Sequence, residues 1–90
     1  MVQLRKEFTI RNQLGLHLRA ASRLVQTASR FSSSVHIEVR ENRVNGKSII
    51  GLATLAAAKG TTIVVEAQGV DEEEAIEAIG RLIEDGFGED

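Results

Sequence analysis

Hydrophobic and polar residues alternate along several short stretches of the chain, and this alternation predicts β-strands. The first strand is predicted from Val2 to Ile10, the second from Val35 to Val39, and the last over the β-branched segment from Thr61 to Ala67. A tight turn at Glu41-Asn42 leads into a further short strand over Arg43-Val44-Asn45. Because apolar and polar side chains alternate with a period of two residues, one face of each strand lies on a core and the other face stays in water.

Apolar residues three and four positions apart predict helices between these strands. The first helix is predicted from about His17 to Arg30, and a second from about Ile49 to Ala58. Ser48 is a good N-cap for the second helix, and Gly60 suits the position that follows a helix end. The apolar stripe of the first helix consists of Ala21, Leu24, Val25 and Ala28.

A third helix is predicted near the end of the sequence. Asp71 and Glu74 resemble a capping box with Asp in place of Ser or Thr, and Gly86 ends the helix. The last residues, Gly88-Glu89-Asp90, are expected to be a frayed acidic tail. The apolar stripe of this helix consists of Ala75, Ile76, Ile79, Leu82 and Ile83.

The order β-α-β-β-α-β-α predicts the fold class α+β. Because each strand has one apolar face, we expect an open-faced β-sandwich, in which a four-stranded antiparallel sheet carries three helices on one face. The opposite face, with Arg5, Glu7, Glu38 and Arg40, is expected to remain in water. Residues 1–90 are predicted to form a single domain.

Composition narrows the classes of function. The net charge of -2 and an aromatic content of 3% argue against nucleic acid as a partner. The sequence lacks cysteine, its first residues are charged, and its uncharged apolar stretches are too short for a membrane span. These features predict a soluble, cytoplasmic protein without a membrane partner.

The candidate chemistry lies where the first helix begins. His17 follows Gly15 and precedes Arg19, so a phosphoryl group on His17 would face the free N–H groups and positive dipole of a helix start. Arg19 could add a charge-assisted hydrogen bond to the phosphoryl oxygens. The alternative is a surface histidine that only helps the helix begin.

Ser48 is first of all an N-cap, although a phosphoryl group there would meet helix N–H groups as well.

Other kinds of site find little support in the sequence. His17 and His36 lie on different predicted elements, and neither has a ligand-spaced partner, so we predict no metal site. His36 is interpreted as an ordinary residue on the wet side of its strand. No nucleotide-binding motif and no hydrolytic constellation is present, and no cofactor is expected.

Two segments resemble the HPr family, the phosphocarrier proteins of the bacterial phosphotransferase system. Asn12-x-x-Gly15-Leu16-His17-x-Arg19-x-Ala21 is similar to the active-site motif of that family, and Lys47-Ser48-Ile49-Ile50-Gly51 is similar to the segment around its regulatory serine. The Lys59-Gly60 turn also fits the family, and the resemblance covers nearly the whole chain. The ending from Ile83 to Asp90 looks most like the nitrogen-related branch, often called NPr.

The resemblance implies a carrier rather than a stand-alone enzyme. His17 would accept a phosphoryl group on Nδ1 from phosphorylated Enzyme I and pass it to an EIIA-type protein or domain, with assistance from Arg19. Ser48 would be the site modified by HPr kinase/phosphorylase where that enzyme exists. The resemblance places Leu16, Ile49 and Leu52 near an apolar docking surface for the partners of a monomeric protein.

One position departs from the family pattern. The family usually has Pro where this chain has Ala20, and alanine restores an N–H and loosens the first helical turn. This departure favours an alternative, a regulatory HPr-like module that acts through phosphorylated Ser48 with little phosphoryl flux. Without the resemblance, a small α+β module that binds an anion or a peptide also remains open.

Overall fold

The strands form one antiparallel sheet in a computed structural model that describes residues 4–89. Val2 and Asp90, predicted to belong to the first strand and to the tail, lie outside the described residues. The sheet has the order β1-β4-β2-β3, and every neighbouring pair is antiparallel. The four strands are β1 (Leu4–Thr9), β2 (Ser34–Val39), β3 (Asn42–Asn45) and β4 (Thr62–Gln68).

Three helices cover one face of this sheet, so the predicted open-faced α+β sandwich is confirmed. They are α1 (Leu18–Ala28), α2 (Ile49–Thr54) and α3 (Glu72–Glu84). The register pairs Phe8 with Ile63 and Ile37 with Val65, which brings the predicted apolar faces of three strands together under the helices. The core also takes in Leu24, Leu52, Ile79, Ile83 and Phe87. No helix within residues 4–89 has the length and apolar character needed to cross a membrane.

Helix α2 is shorter than predicted. It ends at Thr54 instead of Ala58, and Ala56 takes a left-handed conformation with φ 51°. The chain leaves the helix because the carbonyl of Ala57 accepts a hydrogen bond from the N–H of Leu16 at 2.8 Å. Gly60 does not close the helix as predicted, since its N–H donates to the carbonyl of Ile10. The residues after α2 thus form an extended support beside the start of α1.

The predicted capping box of α3 is wrong. Asp71 stands at the N-cap, but its carboxylate makes no capping hydrogen bond and accepts instead from the backbone N–H groups of Ser32 and Ser33 and from the Ser33 hydroxyl. These hydrogen bonds hold the pKa of Asp71 below its usual range, and the bond from the Ser33 hydroxyl has the largest effect. The side chain of Glu72 accepts a hydrogen bond from the backbone N–H of Gly69, just before the helix. Asp71 therefore ties the α1–β2 loop to the start of α3.

Of the predicted acidic tail, Gly88 and Glu89 are not frayed, in contrast to the prediction. After α3 the chain makes a tight turn over Gly86–Gly88, and the Phe87 ring is fully buried. The guanidinium of Arg23 donates a hydrogen bond to the carbonyl of Phe87. Burial of this ring supplies the free energy that a polar tail would lack, so Glu89 is held against the start of α1.

The outer face of the sheet is charged, as predicted, but one of its carboxylates is buried. Arg5 and Arg40 are exposed, whereas Glu66 is only 4% exposed. Arg5 lies 3.1 Å and Arg43 2.9 Å from the two carboxylate oxygens of Glu66. Burial raises the pKa of Glu66, but the hydrogen bond and charge of Arg43, followed by those of Arg5, bring it below its usual range. This ion-pair group joins β1, β4 and β3.

Candidate functional site

His17 is the N-cap of α1, which begins at Leu18, one residue after the predicted start at His17. Its backbone is extended, with φ -77° and ψ -179°, and its carbonyl accepts the first helical hydrogen bond, from Ala21. The Nδ1 atom of the ring accepts from the backbone N–H of Arg19 at 3.3 Å. A group attached to Nδ1 would therefore lie directly in front of the N–H groups at the start of α1.

The other ring nitrogen of His17 contacts the tail. Nε2 lies 2.6 Å from Oε2 of Glu89, while Oε1 of Glu89 accepts from Nδ2 of Asn12 at 3.0 Å. The hydrogen bond from Asn12 is the main cause that keeps the pKa of Glu89 low, and the hydrogen bond to His17 acts in the same direction. A carboxylate at Nε2 and an N–H donor at Nδ1 together assign the ring proton to Nε2.

A close approach of two backbone segments sets the position of His17. Gly15 has φ +70°, and a Cβ atom there would lie 2.4 Å from the carbonyl oxygen of Ala57. The next residue, Leu16, donates its N–H to that same carbonyl. The Asn12 side chain also donates to the carbonyl of Gly15 at 2.7 Å. Glycine is required at this turn because it alone has neither the strain nor the clash.

An open cleft of ≈ 770 Å³ lies beside His17. Arg19 is exposed at its edge, and the positive charge of Arg19 also contributes to the low pKa of Glu89. A histidine, two arginines and a helix start in one cleft are well suited to an anion such as a phosphoryl group. The cleft is lined by Gln13, Leu14, His17, Leu18, Arg19, Arg23, Gly88 and Glu89.

Ser48 belongs to a different part of the surface. As predicted, it is the N-cap of α2, and its hydroxyl oxygen accepts from the N–H of Gly51 at 3.1 Å. It does not line the cleft beside His17. The structure therefore brings His17 and Arg19 together but leaves Ser48 on a neighbouring helix end.

The three residues expected at a docking surface differ in exposure. Leu16 and Leu52 are buried in the core, with 3% and 0% of their surface exposed, because they fill the space between the helices and the sheet. Ile49 is 37% exposed. Docking stays a prediction for Ile49, whereas Leu16 and Leu52 can only support such a surface from below. Other large apolar side chains exposed near the two helix starts are Leu14, Leu18 and Ile50.

Within residues 4–89 no three His, Cys, Asp or Glu side chains come together as metal ligands. His36 is half-buried on β2, where it pairs with Glu66 and Asn45 across the sheet.

Sequence reasoning missed two residues of the site, Glu89 and Arg23. The signal that could have found Glu89 is Phe87, because an aromatic residue flanked by two glycines after a helix indicates an anchored turn more than a frayed end. Arg23 carried no local signal, since its partner is a backbone carbonyl far along the chain.

Comparison with known proteins places this arrangement in one family. The family model described as "PTS HPr component phosphorylation site" matches residues 4–85. The phosphocarrier protein HPr of Neisseria meningitidis serogroup A is 52% identical over 86 residues, which cover 96% of this chain and 97% of that protein. The HPr-like protein Crh of Bacillus subtilis is 42% identical over 85 residues, covering 94% and 98%.

Comparison with solved structures gives the same family as comparison with sequences. The crystal structure of HPr-C-His from Thermoanaerobacter tengcongensis matches with a TM-score of 0.90 and 44% identity, over 100% of this chain and 99% of that one. The chain belongs to the HPr family, the phosphocarrier proteins of the phosphotransferase system.

Proposed function

We propose that this protein accepts a phosphoryl group on Nδ1 of His17 from phosphorylated Enzyme I and passes it to an EIIA-type protein or domain. The observation that supports this most directly is the position of His17 as the N-cap of α1, with Nδ1 turned toward the N–H of Arg19. We further propose a monomeric, cytoplasmic carrier made of a single domain over residues 1–90. The nitrogen-related branch of the family stays a prediction.

The chemistry follows from the surroundings of Nδ1. The lone pair of Nδ1 attacks phosphorus, an N–P bond forms, and the bond between phosphorus and the donor atom breaks, with its electron pair returning to the donor. The phosphoryl oxygens then face the N–H groups at the start of α1, whose dipole favours negative charge. The Arg19 guanidinium is close enough in sequence and exposed enough to add a charge-assisted hydrogen bond.

A partner has an apolar surface to dock on beside the acceptor atom. Leu14 and Leu18, 71% and 67% exposed, both line the cleft that contains His17. Exposed apolar residues around a reactive group favour a brief, specific contact with another protein. We therefore propose that Enzyme I and the acceptor use the same surface in turn, with Ile49 at its edge.

The test is incubation with Enzyme I and phosphoenolpyruvate. Wild-type protein is expected to take up acid-labile phosphate, and His17→Ala is expected to take up none while keeping its fold. His36→Ala is the matched control, since it removes the other histidine from the sheet and should be labelled normally. Wild-type labelling of His17→Ala would overturn the assignment.

A second candidate is a regulatory role through Ser48. Ser48 caps α2 with its hydroxyl, and Ile49 and Ile50 directly after it are exposed, so a modification there changes the charge of an apolar surface. One relative is named HPr-like protein Crh. In this chain Ala20 replaces the usual Pro of the family. HPr kinase/phosphorylase is the enzyme class that would modify Ser48. A labelled Ser48 together with negligible flux through His17 would favour this candidate.

A further inference from the structure

The proposed function assigns no role to the contact between Glu89 and His17. That step uses Nδ1 and Arg19, whereas Glu89 contacts Nε2 at 2.6 Å. The two side chains are 27% and 13% exposed, so the contact is largely shielded from water. A shielded carboxylate at this distance binds the ring more firmly than an exposed surface pair would.

Asn12 holds Glu89 in place, and its orientation is fixed. Its Nδ2 atom contacts two acceptors, the Gly15 carbonyl and Oε1 of Glu89, so the amide cannot be turned over without facing oxygen with oxygen. The Oδ1 atom of Asn12 is buried and has no hydrogen-bond partner among residues 4–89. An unsatisfied buried oxygen is unfavourable, which indicates that the side chain is placed for its two donated bonds.

We propose that Glu89 is a positioning residue for His17, held by Asn12, and that it keeps the ring proton on Nε2 so that Nδ1 presents its lone pair to phosphorus. This proposal rests on the proposed function of His17. It makes the tail after α3, anchored by Phe87 and Arg23, a part of the acceptor site.

The charges during transfer support this role. When the Nδ1–P bond forms, the neutral ring becomes a cation that still carries its proton on Nε2, and the donor leaves with the electron pair of the broken bond. The Glu89 carboxylate, ionised because Asn12 and His17 lower its pKa, then lies beside that cation. Glu89 therefore favours both the reactive tautomer before transfer and the charge distribution after it.

Glu89→Gln tests the proposal because one amide cannot replace two carboxylate oxygens. Its single carbonyl can accept from Asn12 or from His17, so its NH2 group must face a donor. We expect two changes, an increase of the Nδ1–H tautomer of His17 in nitrogen-15 NMR and phosphorylation of His17 slowed by about tenfold. Glu84→Gln, at the end of α3, removes the same charge without touching the site and should behave as wild type.

Glu89→Asp keeps the charge but shortens the reach, and we expect it to restore part of the rate. The melting temperature of each variant separates loss of fold from loss of position. A wild-type tautomer or a wild-type rate in Glu89→Gln would overturn the positioning role. Failure of the wild-type protein to accept phosphate would instead overturn the proposed function, and with it the proposal.

Discussion

The two ring nitrogens of His17 have different partners, and this difference sets their chemistry. Nδ1 faces the backbone N–H of Arg19, whereas Nε2 faces the carboxylate of Glu89. An imidazole between a donor and an acceptor has one favoured tautomer, in which the Nδ1 lone pair faces the donor. The reactivity of His17 is thus determined by two contacts, one local and one from the far end of the chain.

Ala20→Pro tests how the start of α1 is built. Ala20 is the third residue of the helix, and its N–H is among those that need no intrahelical partner. We expect the variant to be tolerated, with a gain of about 0.4–1 kcal/mol in unfolding free energy from the restricted unfolded chain. Ala28→Pro, on the same buried stripe, should lose about 3 kcal/mol. A loss of several kcal/mol for Ala20→Pro in a denaturant melt would contradict this.

Ser48→Asp tests the proposed regulation. Aspartate is as good an N-cap as serine, so the melting temperature should equal or exceed that of wild type. The new charge beside Ile49 must be desolvated when a partner docks, so phosphorylation of His17 by Enzyme I should be slower. Both quantities are measured on one preparation.

Ser48→Ala is the control for this prediction. It removes the hydrogen bond to Gly51 and should cost about 1 kcal/mol, yet it should leave the transfer rate unchanged. If neither the Asp variant nor protein phosphorylated on Ser48 shows altered transfer, Ser48 is only an N-cap.

Between the elements, the loop before α1 and the segment after α2 form one unit. Gly15→Ala would place a Cβ atom 2.4 Å from the Ala57 carbonyl in a left-handed backbone. We expect it to lower the unfolding free energy by about 2–5 kcal/mol, the sum of backbone strain and overpacking, and to slow phosphorylation of His17. The measurements are a denaturant melt and the transfer assay.

Gly60→Ala provides the matched comparison. Gly60 is also left-handed, with φ +91°, but a Cβ atom there would have nothing within 4 Å. It should therefore show the strain alone, about 1–2 kcal/mol, and leave His17 active. Equal losses of unfolding free energy in Gly15→Ala and Gly60→Ala would show that the backbone near Gly15 moves aside for the added Cβ atom at no cost.

Most elements could be predicted from the sequence because periodicity reports burial directly. The stripes of α1 and α3 and the alternation in β2 and β4 agree with the observed core. The end of α2 could not be predicted, since Ala57 leaves the helix to bind Leu16, a residue distant in sequence. The contacts of Glu89 in the site could not be predicted for the same reason, because its partners are also distant in sequence. Sequence patterns report local periodicity, and these features depend on tertiary hydrogen bonds.

Over the molecule as a whole, three carboxylates make stability depend on pH. Glu66, Asp71 and Glu89 all have pKa values below the usual range, so the unfolded chain binds more protons than the folded one. The stability that these carboxylates contribute is complete when the pH is above their pKa values in the unfolded chain, which are about 4. It is lost as the pH falls through their pKa values in the folded protein. We expect melting temperatures to fall steadily below about pH 4.

Glu66→Gln isolates the buried member of this set. It leaves Arg5 and Arg43 beside a neutral amide, so the variant should melt below wild type at neutral pH. The difference should shrink as acid protonates Glu66 in the wild-type protein. Glu41→Gln, in the exposed turn after β2, should follow the wild-type curve at every pH. A constant difference between Glu66→Gln and wild type would refute the assignment.

The place of β4 in the sheet has a consequence for how the protein acquires its structure. β4 lies between β1 and β2, although most of the sequence separates it from β1, and β1 pairs with no other strand among residues 4–89. A fragment that stops before residue 62 contains both His17 and Ser48 but leaves β1 unpaired. Folding must therefore wait for this late strand to close a long loop, and it should proceed as one cooperative event. Amide protons of β4 should accordingly be among the slowest to exchange with solvent.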